Sequence, residues 1–243
     1  MNGPKVVFKI PIFGGINISE TLVIGWFVIA FITVVILWLT HDMKKVPETK
    51  KQVVAEMLVN TVNNLIKDNL GPKHMIYAPY IAALFSLSIC GSLVSLIGLR
   101  SMTADINVTM GWALICFVMI TYNKFKYNGF LGYFKGYTEP VVFMTPLNII
   151  SEVATPLSMG FRHFGNIAGG MVITSLLYAA LGTLTKVLGL SLSFGGYDFN
   201  IFTVGIPAVL SIYFDLFSGF MQAFIFIMLT MANVGGAIPE EQQ

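Results

Sequence analysis

Charge is scarce in this chain, and cysteine scarcer. Charged residues fill 11% of the 243 positions against 56% hydrophobic ones, and the mean hydropathy is +0.78. Soluble domains carry about a quarter charged residues, so a water-exposed globular surface is excluded and a polytopic membrane protein is expected. The formal net charge of +2 is too small to draw nucleic acid or an acidic substrate. Only two cysteines occur, Cys90 and Cys116, each inside an apolar segment. That excludes a disulfide framework and a thiolate metal site, and leaves plain lipid- or core-facing thiols. The chain has no metal-ligand spacing, phosphate-cradling glycine loop or nucleophile elbow, so no cofactor, no metal and no covalent catalysis are expected. No internal repeat is visible, which argues against an inverted-repeat carrier.

What is present is a series of long apolar runs. Thr21 to Thr40 is free of charge and long enough to cross a hydrocarbon layer roughly 30 Å thick. It is too long for a signal-peptide core and no small-residue cleavage site follows it, so it reads as a retained first span. In the next stretch Val54, Met57, Leu58, Val62, Leu65 and Ile66 recur at helical spacing between polar residues. Pro47 can start that helix and Gly71-Pro72 end it, so an amphipathic helix on the membrane surface is expected, with a soluble connector packed on a partner as the alternative. Ile76 to Leu99 is a second span, with Pro79 near its start. A third begins near Val108, capped by Asp105 or Asn107, and runs to about Tyr122. The lysine- and tyrosine-rich "NKFKYNGFLGYFKGYTEP" follows as a membrane-boundary loop. Two longer tracts complete the chain, Val141 to about Leu184, broken by Pro146 and Pro156, and Ile201 to about Ala237, broken by Pro207. Both exceed one perpendicular span, so they must tilt steeply, kink or lie partly in the plane. The single membrane domain thus divides into 1–75, 76–123 and 141–238.

Lysine sets the expected orientation. Lys44, Lys45, Lys50, Lys51, Lys67 and Lys73 follow the first span, and Lys124, Lys126 and Lys135 follow the third. The positive-inside rule puts these loops in the cytoplasm, the N-terminus outside and the terminal "IPEEQQ" inside.

Within the last two tracts a few polar residues stand out. Arg162 cannot lose its proton, and mid-membrane arginine costs about 2.5–3.5 kcal/mol on insertion scales. The low-polarity flanks on either side are too long for snorkelling to relieve it, so a functional role is expected. Asn166 lies one turn on, on the same face, and Gly165, Gly169 and Gly170 leave a slot for another helix, which a packing seam alone also explains. Asp215 precedes Gln222 by two turns, with Ser218 between them; its carboxylate is either an ion relay or the salt-bridge partner of Arg162. Glu152 and Asn148 extend a polar line from Arg162 toward the cytoplasmic end, although Glu152 can also simply mark the interface. His163 points roughly 100° away from Arg162 and is expected to pack, while His41 and His74 are expected in water. These residues leave open an ion relay, an independent channel or transporter binding an anion at Arg162, and a scaffold without ion chemistry.

Three blocks narrow the choice. "MTADINVTMGWAL", "PLNIISEVATPLSMGFRHFGNIAGG" and "FMQAFIFIMLTMANVGGA" occur in this order between about Ala104 and Ala237. Together they resemble subunit a of bacterial F-type ATP synthases, the stationary half of the membrane motor; the first hundred residues match in layout. The resemblance implies an all-α integral membrane fold with one outer span, a cytoplasmic surface helix, two further spans and a hairpin of two long, steeply tilted helices. Its partners would be a rotor ring of c subunits, the b-subunit peripheral stalk, the rest of the complex and the lipid bilayer of the bacterial plasma membrane. It places Arg162 on the essential arginine, Asn166 and Gln222 on polar residues near it, and Glu152 on the acid of the cytoplasmic half-channel, with Asn148 and Ser158 guiding ions there. Asp215 falls where members carry a histidine or acid facing the outer half-channel. Two departures stand out: Met171 replaces a polar partner of that outer site, and His163 replaces the usual leucine.

Overall fold

The computed structural model describes residues 5–11, 16–46, 49–138, 141–189, 191–194, 197–200, 209 and 212–239. Five helices among them are long and apolar enough to cross a membrane, so the all-α integral membrane class holds. The chain opens with an antiparallel hairpin of β1 (Val6–Ile10) and β2 (Ile16–Ser19). Helix α1 (Glu20–Thr40) buries Thr21, Ile24, Gly25 and Val28 in its first turns. Toward Thr40 it exposes Phe31, Val34 and Leu37, the all-round apolar surface of a helix solvated by lipid.

Helix α2 (Lys50–Leu70) forms over the amphipathic stretch. Thr49 caps it by accepting from the Gln52 N–H at 3.4 Å, and Gly71, at φ +84, ends it. Pro47 lies outside the described residues. The apolar stripe divides: Ile66 and Leu70 are buried in the core, whereas Val54, Met57 and Leu58 stay exposed. Helix α3 (Ala78–Leu93) has Pro79 in its first turn and is flanked by 3-10 turns, Pro72–Tyr77 before it and Val94–Ile97 after it. His74 corrects the expectation of a solvated ring: it is buried, with Nδ1 3.0 Å from the Leu70 carbonyl and Nε2 3.0 Å from the Tyr127 hydroxyl. His41, by contrast, pairs with Asp42 in full exposure.

Asp105 caps helix α4 (Ile106–Thr138), accepting from the Asn107 N–H at 3.0 Å and from the Thr21 hydroxyl at 2.5 Å. The same carboxylate therefore ties α4 to α1. The expected end near Tyr122 is wrong. The helix continues to Thr138, turning at Gly129, whose φ of +69 suits glycine. Beyond the turn, Phe130 and Tyr133 both pack back on the Phe125 ring, with centroids 5.9 and 4.1 Å away.

Helix α5 (Thr145–Val187) is continuous over 43 residues. Pro146 sits in its first turn, where the missing N–H costs nothing, so it starts the helix instead of breaking it. Pro156 lies inside; it has no N–H to offer the Glu152 carbonyl, yet the helix continues past it. A second antiparallel hairpin, β3 (Ser191–Phe194) with β4 (Tyr197–Asn200), follows where a plain connection is expected. Pro207 lies outside the described residues. A π-helical turn at Tyr213–Ser218 leads into α6 (Gly219–Gly236).

The core forms where α2, α3, α4 and α6 converge, around Ile66, Leu84, Cys116, Phe226 and Met231. Cys90 and Cys116 are both free. Helix α5 joins this core through Met159, Gly160, His163 and Ile167, while Phe161, Ile173 and Leu176 remain exposed. A Cβ on Gly160 would come within 2.9 Å of Met110 Sδ, so the glycine is what lets α4 and α5 approach.

Candidate functional site

Helices α5 and α6 run antiparallel, and two side-chain contacts fix their register. The Asn166 amide donates to the Gln222 carbonyl oxygen at 2.5 Å. Three residues toward the start of α5 from Arg162, the level is set again, since the Asn233 amide reaches Met159 Sδ at 3.3 Å. Arg162 lies between these contacts, beside Leu229. At about 1.5 Å per residue, Glu152 sits roughly 15 Å from Arg162 along α5, and Asp215 roughly 20 Å beyond Leu229 along α6 in the opposite direction. The three charges are thus strung along one hairpin with the cation in the middle.

Glu152 is the anchored one. Its side chain is 5% exposed. Lys124 Nζ lies 3.2 Å from Oε1, the Tyr133 hydroxyl donates to Oε1 at 3.1 Å, and the Tyr137 hydroxyl donates to Oε2. A buried carboxylate is tolerable only when paired and hydrogen-bonded, and α4 supplies that shell from both sides of its Gly129 turn. Asn148, one turn earlier, donates to the Tyr137 carbonyl at 2.9 Å and so holds the end of α4 against α5.

Arg162 is the opposite case. It is exposed, and among the described residues it makes no ion pair or hydrogen bond. Asp215 is not its partner; that carboxylate lies on the π-helical turn and meets the Ser95 hydroxyl. Two cavities connect the middle of the hairpin to one end. The larger, about 520 Å³, is lined by Lys124, Tyr133, Tyr137, Asn148 and Glu152. The smaller, about 300 Å³, is lined by Ser158, Met159, Arg162 and Leu229. Thr155 and Asn233 line both, so the two cavities adjoin between Glu152 and Arg162.

His163 faces the other way and is buried. Its ring stands edge-on to Trp112 and Phe226, with centroids 5.6 and 5.4 Å away, and Nε2 lies 3.3 Å from the Ser88 hydroxyl. It fastens α5 to three other helices and thereby fixes the rotation that turns Arg162 outward. A Cβ on Gly165 or Gly169 would meet nothing within 4 Å, and Gly170 is partly exposed. No helix of this chain fills that slot among the described residues.

The structure therefore places Glu152 and Asn148 on one cavity and Ser158 and Arg162 on the adjoining one, and pairs Asn166 with Gln222. Asp215 stands apart toward the other end. Sequence reasoning missed Lys124, Tyr133, Tyr137, Thr155 and Asn233. The spacing of Tyr133 and Tyr137, one turn apart, was a signal, as was Asn233 three turns after Gln222.

Against known proteins, residues 22–234 match the family model described as ATP synthase A chain. ATP synthase subunit a, sodium ion specific, of Propionigenium modestum is 32% identical, covering 100% of this chain and 87% of the relative. ATP synthase subunit a of Desulforamulus reducens is also 32% identical, over 90% and 80% of the two chains. That of Bacillus pumilus is 30% identical, over 93% of each.

Proposed function

The chain belongs to the ATP synthase A chain family, and from that premise we propose that its hairpin of α5 and α6 forms two offset ion half-channels facing a rotor ring, with Arg162 as the barrier between them. The family assignment makes the chain a multi-pass, non-catalytic membrane subunit of the F-type ATP synthase, acting in stator ion translocation. The finer reading rests on one observation. The exposed Arg162 guanidinium, without a partner among the described residues, lines a cavity that adjoins the one at Glu152, with Asp215 displaced to the far side.

In this reading the ring of c subunits packs on the bare face of α5, its close approach admitted by Gly165, Gly169 and Gly170. The b-subunit peripheral stalk holds the chain still. Each rotor carboxylate, arriving ionised, finds in Arg162 a cation that cannot be neutralised. The guanidinium attracts that carboxylate, favours release of the ion it carried, and repels any cation attempting to cross directly. Asn166 and Gln222, bonded to each other, steady the surface beside it. Ions board from the outer side near Asp215, where Met171 offers no polar help, and leave along Ser158, Glu152 and Asn148 to the cytoplasm. The N-terminus lies outside and the C-terminus inside. Each charge crossing supplies about 2.3 kcal/mol per 100 mV, so several are needed per ATP and a leak past Arg162 is costly. The Propionigenium modestum relative, by its name sodium ion specific, makes sodium the first cation to try against protons.

Replacing Arg162 by Ala in the intact complex tests the reading. Ion-driven ATP synthesis is expected to fall to the background of empty vesicles while the complex still assembles with its c ring. A variant with normal synthesis would refute it.

A further inference from the structure

Glu152 lies on the proposed exit path, yet its carboxylate is already occupied. Lys124 holds Oε1 at 3.2 Å, and Tyr133 and Tyr137 each donate to one oxygen. A carboxylate locked in that state permanently would put a fixed ammonium across the passage and repel every cation sent toward it. Three features argue against a permanent lock. The Lys124 side chain is 32% exposed, while that of Glu152 is 5% exposed, so the ammonium has water to retreat to and the carboxylate has not. Lysine is a compact charge on a flexible stem, which suits exchange better than a planar guanidinium does. The adjoining cavity of about 520 Å³ has room for water, so the ammonium can move without repacking the helices.

We propose that Lys124 is a tethered stand-in for the transported ion: its ammonium rests on Glu152 and gives way to each passing small monovalent cation, a hydrated proton or sodium. The carboxylate supplies the charge at this site. The Tyr133 and Tyr137 hydroxyls keep their protons and go on donating to the carboxylate, and their oxygens keep lone pairs for the cation. When the cation leaves, Lys124 returns and the buried carboxylate is never bare. The proposal rests on the half-channel reading above and adds to it a cation site with a built-in competitor.

The test uses the intact complex in vesicles with the catalytic head outward, so that ATP drives uptake from the medium facing the cytoplasmic side. Uptake is titrated with sodium at fixed pH, then with pH at fixed sodium; the arm that saturates identifies the cation. In Lys124→Gln the competitor is gone, and the half-saturating concentration is expected to fall at least about threefold, because an occupied site weakens apparent affinity by its free fraction. In Lys124→Arg the ion pair is retained and a guanidinium holds it harder, so the half-saturating concentration is expected to rise at least about threefold. Lys124→Arg keeps the ion pair, so it decides the matter even if Lys124→Gln fails to assemble. Half-saturation unchanged in the assembled variants, with only the maximal rate or heat stability altered, would make Lys124 a structural brace and overturn the proposal. Arg162→Ala run alongside separates the two readings: if it pumps normally, the half-channel account falls; if it is dead while half-saturation ignores Lys124, only the competitor idea falls.

Discussion

Glu152 and Arg162 lie ten residues apart on one helix and are treated in opposite ways. The carboxylate is buried and receives three partners from α4. The guanidinium is exposed and receives none among the described residues. A chain that folded for stability alone would neutralise both, since an unpaired arginine in lipid is the costlier of the two. The contrast teaches that the chain completes its own anion and leaves its cation to be completed from outside. His163 supports the same division, for it spends the neighbouring position on fixing the angle at which Arg162 is presented.

Five changes probe that contrast. The largest effect is expected from Arg162→Gln, which keeps polarity and removes charge: coupled ion uptake by the whole complex should drop to background, with the chain still folded by circular dichroism. Next comes Glu152→Ala, which strands Lys124 and two phenols. Breaking a buried pair from one side costs about 3–5 kcal/mol; Lys124 can turn to water, so about half of that is expected, seen as a lower aggregation temperature in detergent. Substituting the glycines separates inner packing from outer. Gly160→Ala forces a Cβ against Met110 and Ala113 and should destabilise the isolated chain by about 1–3 kcal/mol. Gly165→Ala meets nothing within the chain, so it should leave the isolated chain's heat stability unchanged and lower only the yield of chain copurifying with the rotor ring. The smallest effect belongs to a position remote from both charges: Thr49→Ala removes the cap of α2 and should cost about 1 kcal/mol, read from the same aggregation temperature.

The spans were legible because lipid imposes a local rule, namely length and apolarity, that a single stretch of sequence displays. Arg162, Asn166 and Gln222 were legible for the same reason, as polar residues in runs that otherwise exclude them. What escaped depends on contacts between distant segments. Lysines and tyrosines after Tyr122 read as a loop, since nothing local shows that Gly129 turns them back over α5 to close around Glu152. His74 read as solvated because its loop is polar, whereas its burial is decided by Tyr127, 53 residues away. The π-helical turn at Asp215 and the two short hairpins left no periodic signature long enough to read. Proline misled in the other direction: Pro156 looked like a break, but neighbouring helices hold α5 together across it.

The central claim is that Arg162 blocks direct passage between two paths that meet at the rotor. Passive cation flux through the membrane sector, freed of its catalytic head and with the ring cross-linked to this chain so that it cannot turn, tests this most directly. The account predicts no flux with Arg162 in place and measurable flux in Arg162→Ala under the same cross-link. Flux through the locked sector with Arg162 present, or none after its removal, would contradict it.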